Sequence, residues 1–251
     1  MKPVDLHTHS TKSDGSYTPT ELVDYAIVKG LSAVALTDHD TIDGLEEAVL
    51  HAGALARSGL PSIEVVPGIE FSTEYEKKDV HIVGLYISYD APFFQAKLQE
   101  FVDSRINRNI KMCSNLQSAG IDITFDKLQA RNPGAVITRA HYAAYLYEDG
   151  YVKSRQDAFS QYLGDHTKYF VPREKVTPVQ AVSLILKAGG IPILAHPPLY
   201  HMGQERLDHL TAALKDAGLM GIEALYCSYS NQDERDMRRL AAKYDRLLSG
   251  G

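Results

Sequence analysis

Short apolar runs alternate with longer segments of helical periodicity along most of the chain. The apolar runs are rich in β-branched and aliphatic residues, which favour strands. Strands that alternate with helices of this length are typical of βα units, in which parallel strands close into a barrel or form an open sheet. The predicted strands are 4–8, 33–37, 64–66 continuing into 68–72, 81–87, 191–195, 222–227 and one that starts at 247; the predicted helices between them are 19–29, 45–58, 178–188, 206–217 and 232–244.

The middle of the chain has a different pattern, because helical periodicity continues there without an intervening strand. We therefore expect a helical insertion, or cap, over residues 95–168, and a barrel built from residues 1–94 and 169–251. The segments of this insertion that are predicted to be helical are 94–116, 139–147 and 156–163.

The composition is that of a globular protein. With 251 residues, 44% apolar and 23% charged, the chain can bury a large core, and disorder, collagen and coiled coil are excluded. Cys113 and Cys227 lie far apart and match no metal or redox spacing, which fits a reducing compartment. The longest run without a charged residue, 188–204, holds three prolines and two histidines, and the N-terminus has no signal-peptide run. We expect a cytoplasmic protein with no membrane partner.

Charge is unevenly distributed along the chain. The net charge of −6 argues against a broad basic surface, so no stable nucleic-acid partner is expected. Residues 97–168 carry ten Lys and Arg against eight Asp and Glu, a local +2, which leaves −8 for the rest. A basic insertion on an acidic body suits a metal site that faces an anionic ligand, although surface variation explains it equally well. Arg105, Arg108 and Lys111 are spaced as on a solvated helix face, with a lining of the cap as the alternative.

Histidines and carboxylates recur where predicted strands begin or end. His7 and His9 point to the same face of the first strand, because side chains alternate along a strand, and Asp14 follows in the next loop. Taken alone, the His-x-His pair is more often an incidental surface feature than a metal site, and Asp14 alone would be a turn residue. If these residues sit at the carboxyl end of a barrel strand, they reach the catalytic face.

The same pattern appears at four later strands. His39 stands between two aspartates after the run AVAL, where buried acids are costly without a cation or a partner. Glu70 is predicted at a strand end, His81 at the head of an apolar strand, and His196 after PILA. Alone, His81 would more often be a hydrogen-bonded core histidine. Together, seven imidazole and carboxylate donors exceed what one ion needs, and the absence of cysteine favours Mn²⁺, Fe²⁺ or Zn²⁺ in a hydrolytic site.

Five motifs resemble, in order, those of the PHP (polymerase and histidinol phosphatase) family of metal-dependent phosphoesterases: DLHTHSTKSDGSYTP, ALTDHDT, VPGIEFS, VHIVGLYI and ILAHP. The resemblance is closest to the branch that acts on nucleoside 3′,5′-bisphosphates or as a 5′→3′ exoribonuclease on short RNA. It implies a distorted (β/α)₇ barrel with a helical insertion and two or three divalent ions, with Mn²⁺ favoured. The metal ligands it implies are His7, His9, Asp14, His39, Glu70, His81 and His196, of which His196 and Asp14 are also assigned to catalysis.

The resemblance also implies substrate contacts in the insertion. Thr138 to His141 is similar to the phosphate-contacting Thr-Arg-x-His element of that branch, so Arg139 and His141 are expected to bind a substrate phosphate at a helix N-terminus. Without the resemblance, a solvated arginine and a capping histidine are the alternative. Lys168 is a weaker candidate for the same role.

The resemblance implies a small nucleotide substrate, with short RNA as a further one, and hydrolysis of a phosphate monoester by attack of metal-activated hydroxide. An amidohydrolase is the alternative enzyme, because that superfamily also opens with His-x-His on a barrel strand, and a degenerate PHP module with a structural role is the alternative without chemistry. The family's last motif, an Asp-x-His pair after Ser-Gly-Gly, does not follow Ser249-Gly250-Gly251. We expect a longer natural form to carry it.

Overall fold

The computed structural model describes residues 3–172 and 176–251. Its described strands form one seven-stranded sheet that follows the order of the chain. After the last strand the backbone comes so close to the first that a Cβ on Gly251 would lie 2.4 Å from the Cβ of His7, so the sheet curls into a nearly closed, distorted barrel. The strands are β1 (Val4–Thr8), β2 (Ala33–Leu36), β3 (Glu64–Tyr75), β4 (Lys78–Leu85), β5 (Ile191–Leu194), β6 (Gly221–Leu225) and β7 (Leu247–Gly250).

The helices alternate with these strands in the two outer thirds of the chain and follow one another in the middle. The helices are α1 (Pro19–Val28), α2 (Leu45–Arg57), α3 (Pro92–Gln117), α4 (Phe125–Arg131), α5 (Arg139–Glu148), α6 (Arg155–Ala158), α7 (Pro178–Lys187), α8 (Gln204–Asp216) and α9 (Asn231–Tyr244), with a π-helical turn (Phe159–Leu163) after α6 and a 3₁₀ turn (Pro197–Tyr200) after β5.

One strand runs against its neighbours, which corrects the expectation of parallel strands throughout. β4 is antiparallel to both β3 and β5, whereas the other neighbouring pairs are parallel. The reversal takes place at Glu76 and Lys77, which have φ values of 48° and 64°. Positive φ at both central residues is the geometry of a tight two-residue hairpin, for which Asn and Gly are preferred. Glu76 and Lys77 do not match this preference, so the hairpin turn could not be recognised from the sequence.

The helices α1, α2, α7, α8 and α9 cover the outside of the barrel. Thr18 and Thr177 cap α1 and α7, each through a reciprocal capping box with proline in the first turn; such caps satisfy backbone N–H groups that the helix itself cannot. The apolar faces of these helices pack on the barrel in one core, to which Phe71, Ile82 and Leu194 contribute fully buried side chains.

Residues 92–163 contain only helices, and most of them pack in a second core of their own. Met112, Leu116, Tyr142 and Leu146 lie fully buried in it. The short helix α4, capped by Thr124, was not predicted, because seven residues provide too little periodicity to recognise. This helical unit lies against the mouth of the barrel and contacts the loop after β1 and residues of β3 and β4.

Arg105 joins the helical unit to the barrel, and this corrects the prediction of a solvated face. Arg105 and Arg108 are 6% and 8% exposed. The Arg105 guanidinium donates to the Asp40 carboxylate and to the Ser72 hydroxyl, and to the carbonyl of Ile137 at 3.3 Å. An ion pair buried this far is satisfied by several hydrogen bonds at once.

Among the described residues, no helix is both long and apolar enough to cross a membrane.

Candidate metal centre

The strands bring five histidines to one mouth of the barrel. His7 lies on β1, His9 directly follows it, and His39 and His196 follow β2 and β5. His81 lies near the start of β4, yet it reaches the same mouth because β4 runs in the opposite direction. The reversal of one strand therefore explains why a histidine at a strand's beginning joins histidines at the ends of others.

Glu70 lies at the centre of these histidines. It is 1% exposed and, contrary to the prediction of a strand end, occupies the middle of the long strand β3, opposite Val83. Each of the five imidazoles has a ring nitrogen within hydrogen-bond distance of its carboxylate. The nitrogens of His7, His9 and His39 lie 3.3, 3.2 and 3.0 Å from Oε2, and those of His81 and His196 both lie 2.8 Å from Oε1.

Asp14 completes the cluster on the side of the helical unit. One of its carboxylate oxygens lies 3.2 Å from Nδ1 of His9, and the other lies 3.7 Å from Nε2 of His39. The Thr138 hydroxyl donates to Asp14 at 2.9 Å, which links the N-terminus of α5 to the cluster. The structure thus brings together all seven residues that were predicted as ligands.

The pKa values of the cluster are strongly shifted in both directions. Burial alone would lower the pKa of His7 and of His9, but the neighbouring carboxylates raise that of His7 to about 9 and hold that of His9 well above its usual value, so both imidazoles would have to release a proton on binding a metal ion. Burial would raise the pKa of Glu70, but the surrounding imidazoles, His39 and His7 foremost, hold it well below the usual range. Burial would likewise raise the pKa of Asp14, but His39 and His9 hold this pKa well below its usual value. For His39, burial is the largest cause and lowers the pKa to about 3. Ionised carboxylates and a neutral imidazole are the forms that coordinate metal ions.

Two groups of ligand atoms can each hold an ion, and Glu70 belongs to both. One group is His7, Glu70 and His196; the other is His9, His39 and Glu70; within each, the ligand atoms lie within 4.8 Å of one another. One carboxylate balances one positive charge, so it cannot be the charge partner of five protonated imidazoles. Among the residues that the structure describes, the buried Nδ1 of His196 has no hydrogen-bond partner. Divalent cations held by neutral imidazoles and a bridging carboxylate fit this donor set.

Asp38 fixes the loop that carries His9 and Asp14. Its carboxylate, 2% exposed, accepts from the backbone N–H of Ser10 at 2.7 Å, from the Ser10 hydroxyl at 2.6 Å and from the Ser13 hydroxyl at 2.5 Å. The buried aspartate beside His39 therefore has protein partners, and it holds in place the loop that carries His9 and Asp14.

Glu223 is a buried residue of the site that the sequence analysis missed. Its Oε1 lies 3.0 Å from Nδ1 of His7, and its Oε2 accepts from the backbone N–H of His196 at 2.7 Å. His196 has a φ of 30°, a left-handed conformation that costs energy in a residue other than glycine and that this hydrogen bond supports. A carboxylate behind a ligating histidine fixes the orientation of its ring. The available signal was a lone glutamate inside the apolar strand GIEAL.

A small arginine-lined cavity of about 180 Å³ opens beside the cluster. Asp14, His39 and His81 form one side of it, and Arg105, Arg108 and Arg139 contribute to the other. Because Arg105 is paired with Asp40, its charge is balanced by a neighbour outside the cavity lining. Burial lowers the pKa of Arg108 to about 10, which still leaves it charged at neutral pH. The cavity is small, and two aspartates, Asp14 and Asp79, line it beside the three arginines.

Arg139 begins α5 at the edge of this cavity. Its Nη2 lies 2.6 Å from Oδ2 of Asp79, and its Nη1 donates to the carbonyl of Leu163 at 3.2 Å. The guanidinium also lies 5.8 Å from the ring centroid of Phe159 and 5.6 Å from that of Phe170. As predicted, Arg139 stands at a helix N-terminus, where backbone N–H groups favour anions.

The other two predicted substrate contacts have different surroundings. His141 caps α5: its Nδ1 accepts from the backbone N–H of Thr138 at 3.0 Å. Lys168 is exposed, and its ammonium lies 5.0 Å from the ring centroid of Tyr169. Neither His141 nor Lys168 is among the residues that line the small cavity.

A larger cavity of about 530 Å³ lies on the other side of Arg139. Its walls include His81 and His196 of the cluster, Phe159 of the π-helical turn, and Leu199 and Tyr200 of the 3₁₀ turn. Arg139 and Phe159 line both cavities. The histidine cluster therefore adjoins a small arginine-lined cavity and a larger, mostly polar cavity to which Phe159, Leu199 and Tyr200 add aromatic and aliphatic surface.

Comparisons with known proteins agree with this site. Residues 5–163 match the PHP domain family. A 5′-3′ exoribonuclease of Haemophilus influenzae is 38% identical over 97% of this chain and 86% of its own length. A 3′,5′-nucleoside bisphosphate phosphatase of Chromobacterium violaceum is 37% identical over 98% of this chain and 84% of its own length. A solved structure described as an amidohydrolase from Chromobacterium violaceum, with bound sulfate and no metal, has a TM-score of 0.88 at 36% identity and covers 99% of this chain and 86% of its own.

Proposed function

Because this chain belongs to the PHP domain family, we propose that it is a metal-dependent phosphoesterase that hydrolyses phosphate monoesters of small nucleotides. The observation that carries the proposal is the position of the Glu70 and histidine cluster directly beside the arginine-lined cavity. A hydrolytic metal centre next to a small cavity lined by arginines suits a substrate that carries phosphate.

We propose that the site holds two or three divalent ions, and Glu70 belongs to both groups of ligand atoms that could hold one. Mn²⁺ is the ion we favour, with Fe²⁺ and Zn²⁺ as alternatives, because all of them accept mixed imidazole and carboxylate ligands. Such ions lower the pKa of water and neutralise the charge on phosphate oxygens. The residues proposed to hold them are His7, His9, Asp14, His39, Glu70, His81 and His196, and the catalytic roles of His196 and Asp14 are exerted through this binding.

The protein's own groups bind and orient the phosphate. Arg139 offers a planar fork of donors at the helix N-terminus, and its position beside the cluster supports the role of phosphate ligand. His141 contributes indirectly, since it caps α5 and keeps that N-terminus in place. Arg108 adds a second positive charge to the cavity. Lys168 lines neither cavity, so we do not assign it to this phosphate.

The relatives support the nucleotide class of substrate. One is named as a phosphatase of nucleoside bisphosphates and another as a 5′-3′ exoribonuclease, so nucleoside 3′,5′-bisphosphates and the 5′ ends of short RNA are the substrates that we propose. The cytoplasm is the compartment we propose, on the ground of the cysteine usage described above.

A phosphate-release screen with added Mn²⁺ tests the proposal. The substrates are nucleoside 3′,5′-bisphosphates, cyclic nucleotides, histidinol phosphate and short 5′-phosphorylated RNA, and the bisphosphates are expected to be hydrolysed fastest. Release of amine from amide substrates without release of phosphate would instead indicate an amidohydrolase. A purified protein without bound metal and without turnover would indicate a degenerate module.

A further inference from the structure

The larger cavity has the position and the walls of a nucleoside site. It adjoins the metal cluster through His81 and His196 and the phosphate cavity through Arg139. We propose that it binds the base and sugar of the substrate, with the ring of Phe159 as the surface on which the base stacks. This inference rests on the proposed function, because it assumes that the phosphate lies beside Arg139.

The volumes of the two cavities indicate which part of the substrate each of them can bind. Ligand sites for small molecules have volumes of roughly 300–1,000 Å³. The larger cavity, at about 530 Å³, falls within that range, whereas the arginine-lined cavity, at about 180 Å³, has room for a compact group such as phosphate. Of these two cavities, only the larger one therefore has room for a nucleoside.

The walls of the larger cavity favour stacking over hydrogen-bonded reading of the base. Leu199 is 44% exposed and presents an aliphatic surface, while Tyr200 is buried. The Tyr200 hydroxyl donates to the carbonyl of Ala195, so it is engaged with the backbone. At the rim, His166 Nε2 lies 3.1 Å from the carbonyl oxygen of Ser160. Phe159 and Leu199 are thus the apolar surfaces of this otherwise largely polar cavity, and the ring of Phe159 is the face on which a base can stack.

Phe159 is the aromatic residue that connects the two cavities. Its ring lies 5.8 Å from the guanidinium of Arg139 and lines both cavities. It begins the π-helical turn, a wide turn that occurs frequently at functional sites. A base stacked on Phe159 would therefore lie next to a phosphate held by Arg139, which is the spacing within one nucleotide.

The test compares substrates with and without a base. Phe159→Ala is expected to raise KM for adenosine 3′,5′-bisphosphate by about 10-fold or more, the scale of one lost base–aromatic stacking contact, with a smaller effect on kcat. KM for 1,3-propanediol bisphosphate, which has two phosphates and no base, is expected to stay the same. Phe159→Trp is expected to keep affinity, and Phe93→Ala, which removes a ring 47% exposed on α3, serves as the matched control.

Two further measurements keep the result interpretable. Phe159→Leu preserves apolar packing without the aromatic face, so it separates loss of stacking from loss of folding, and it is expected to weaken the nucleotide as well. Equal effects on both substrates would overturn the proposal, since Phe159 would then act through Arg139; no effect on either would place the base elsewhere. Calorimetric binding of adenosine 3′,5′-bisphosphate is independent of turnover. If the protein hydrolyses none of the substrates but Phe159→Ala still weakens the binding of adenosine 3′,5′-bisphosphate, the base site is supported and the phosphoesterase proposal is rejected.

Discussion

His7 connects the metal cluster to its support, because its two ring nitrogens face different carboxylates, Glu70 and Glu223. Its replacement by alanine removes one ligand atom and leaves Glu223 without that partner. We expect His7→Ala to lose bound metal and to reduce turnover by about 10²-fold or more, the scale of losing a positioned electrostatic catalyst. Elemental analysis and phosphate release measure the two effects. His51→Ala is the control, since His51 pairs with Asp24 on the outer helices; unchanged metal content in His7→Ala would contradict the assignment.

Arg139 is expected to act on substrate binding more than on the chemical step. A hydrogen bond to a charged group contributes roughly 1.5–3 kcal/mol, so Arg139→Ala should lower kcat/KM by about 10- to 100-fold. Most of that loss should come from a higher KM if the contact is equally strong in the ground and transition states. Arg206→Ala, at a surface ion pair with Glu76, is the matched control. Wild-type kinetics of Arg139→Ala on nucleoside bisphosphates would exclude the phosphate contact.

Asp79 competes with phosphate for Arg139. Since Arg139 already donates to Asp79 and to the carbonyl of Leu163, an incoming phosphate must displace a carboxylate. Asp79→Asn is expected to lower the inhibition constant of inorganic phosphate by roughly 10-fold, the scale of one charge-assisted hydrogen bond. Asp165→Asn, which changes a carboxylate paired with Lys78, is the control. Weaker inhibition by phosphate in Asp79→Asn would show that Asp79 positions Arg139 instead.

At the scale of elements, α3 is held to the barrel by a buried charge. Arg105 pairs with Asp40, which is 0% exposed. Arg105→Ala would leave that carboxylate buried without its cation, so we expect a loss of about 3–5 kcal/mol in the free energy of unfolding, measured by urea denaturation. Lys97→Ala on the same helix removes an exposed pair with Glu100 and should cost about 1 kcal/mol or less. Equal losses for the two variants would mean that the buried pair does not anchor α3.

At the scale of the whole molecule, metal binding should stabilise the fold, because its proposed ligands come from strands β1, β3 and β4 and from the segments that follow β1, β2 and β5. A ligand that binds only the folded state at 100 times its Kd adds about 2.7 kcal/mol. For a chain of this size, that corresponds to about 5–10 °C in Tm. Chelation should lower Tm by this amount and re-addition of Mn²⁺ should restore it, as measured by calorimetry. The Tm of His7→Ala should change less on chelation than that of the wild type. If the wild type has the same Tm with and without metal, a metal site that spans the barrel is contradicted.

The sequence by itself determined the elements and the residue types of the site. All seven predicted strands are present with ends displaced by a few residues, because the periodicity of apolar residues is a local property. The helix starts at Thr18 and Thr177 were also predicted, since capping depends on residues within one turn. The seven imidazole and carboxylate donors were recognised because such groups recur beside the ends of the predicted apolar strands, and the resemblance to the PHP family implied the same set.

The tertiary structure decided what depends on contacts between distant residues. The reversal of β4 came from a hairpin whose residues, Glu76 and Lys77, carry no turn signal, and it is this reversal that brings His81 to the other histidines. The spacing of Arg105 on its helix was compatible with solvent, whereas its pairing with Asp40, 65 residues away, required the folded chain. Glu223 likewise became part of the site only through contacts with His7 and His196. Local pattern encodes which groups are present and on which elements they lie; the closing of the sheet brings them within bonding distance of one another.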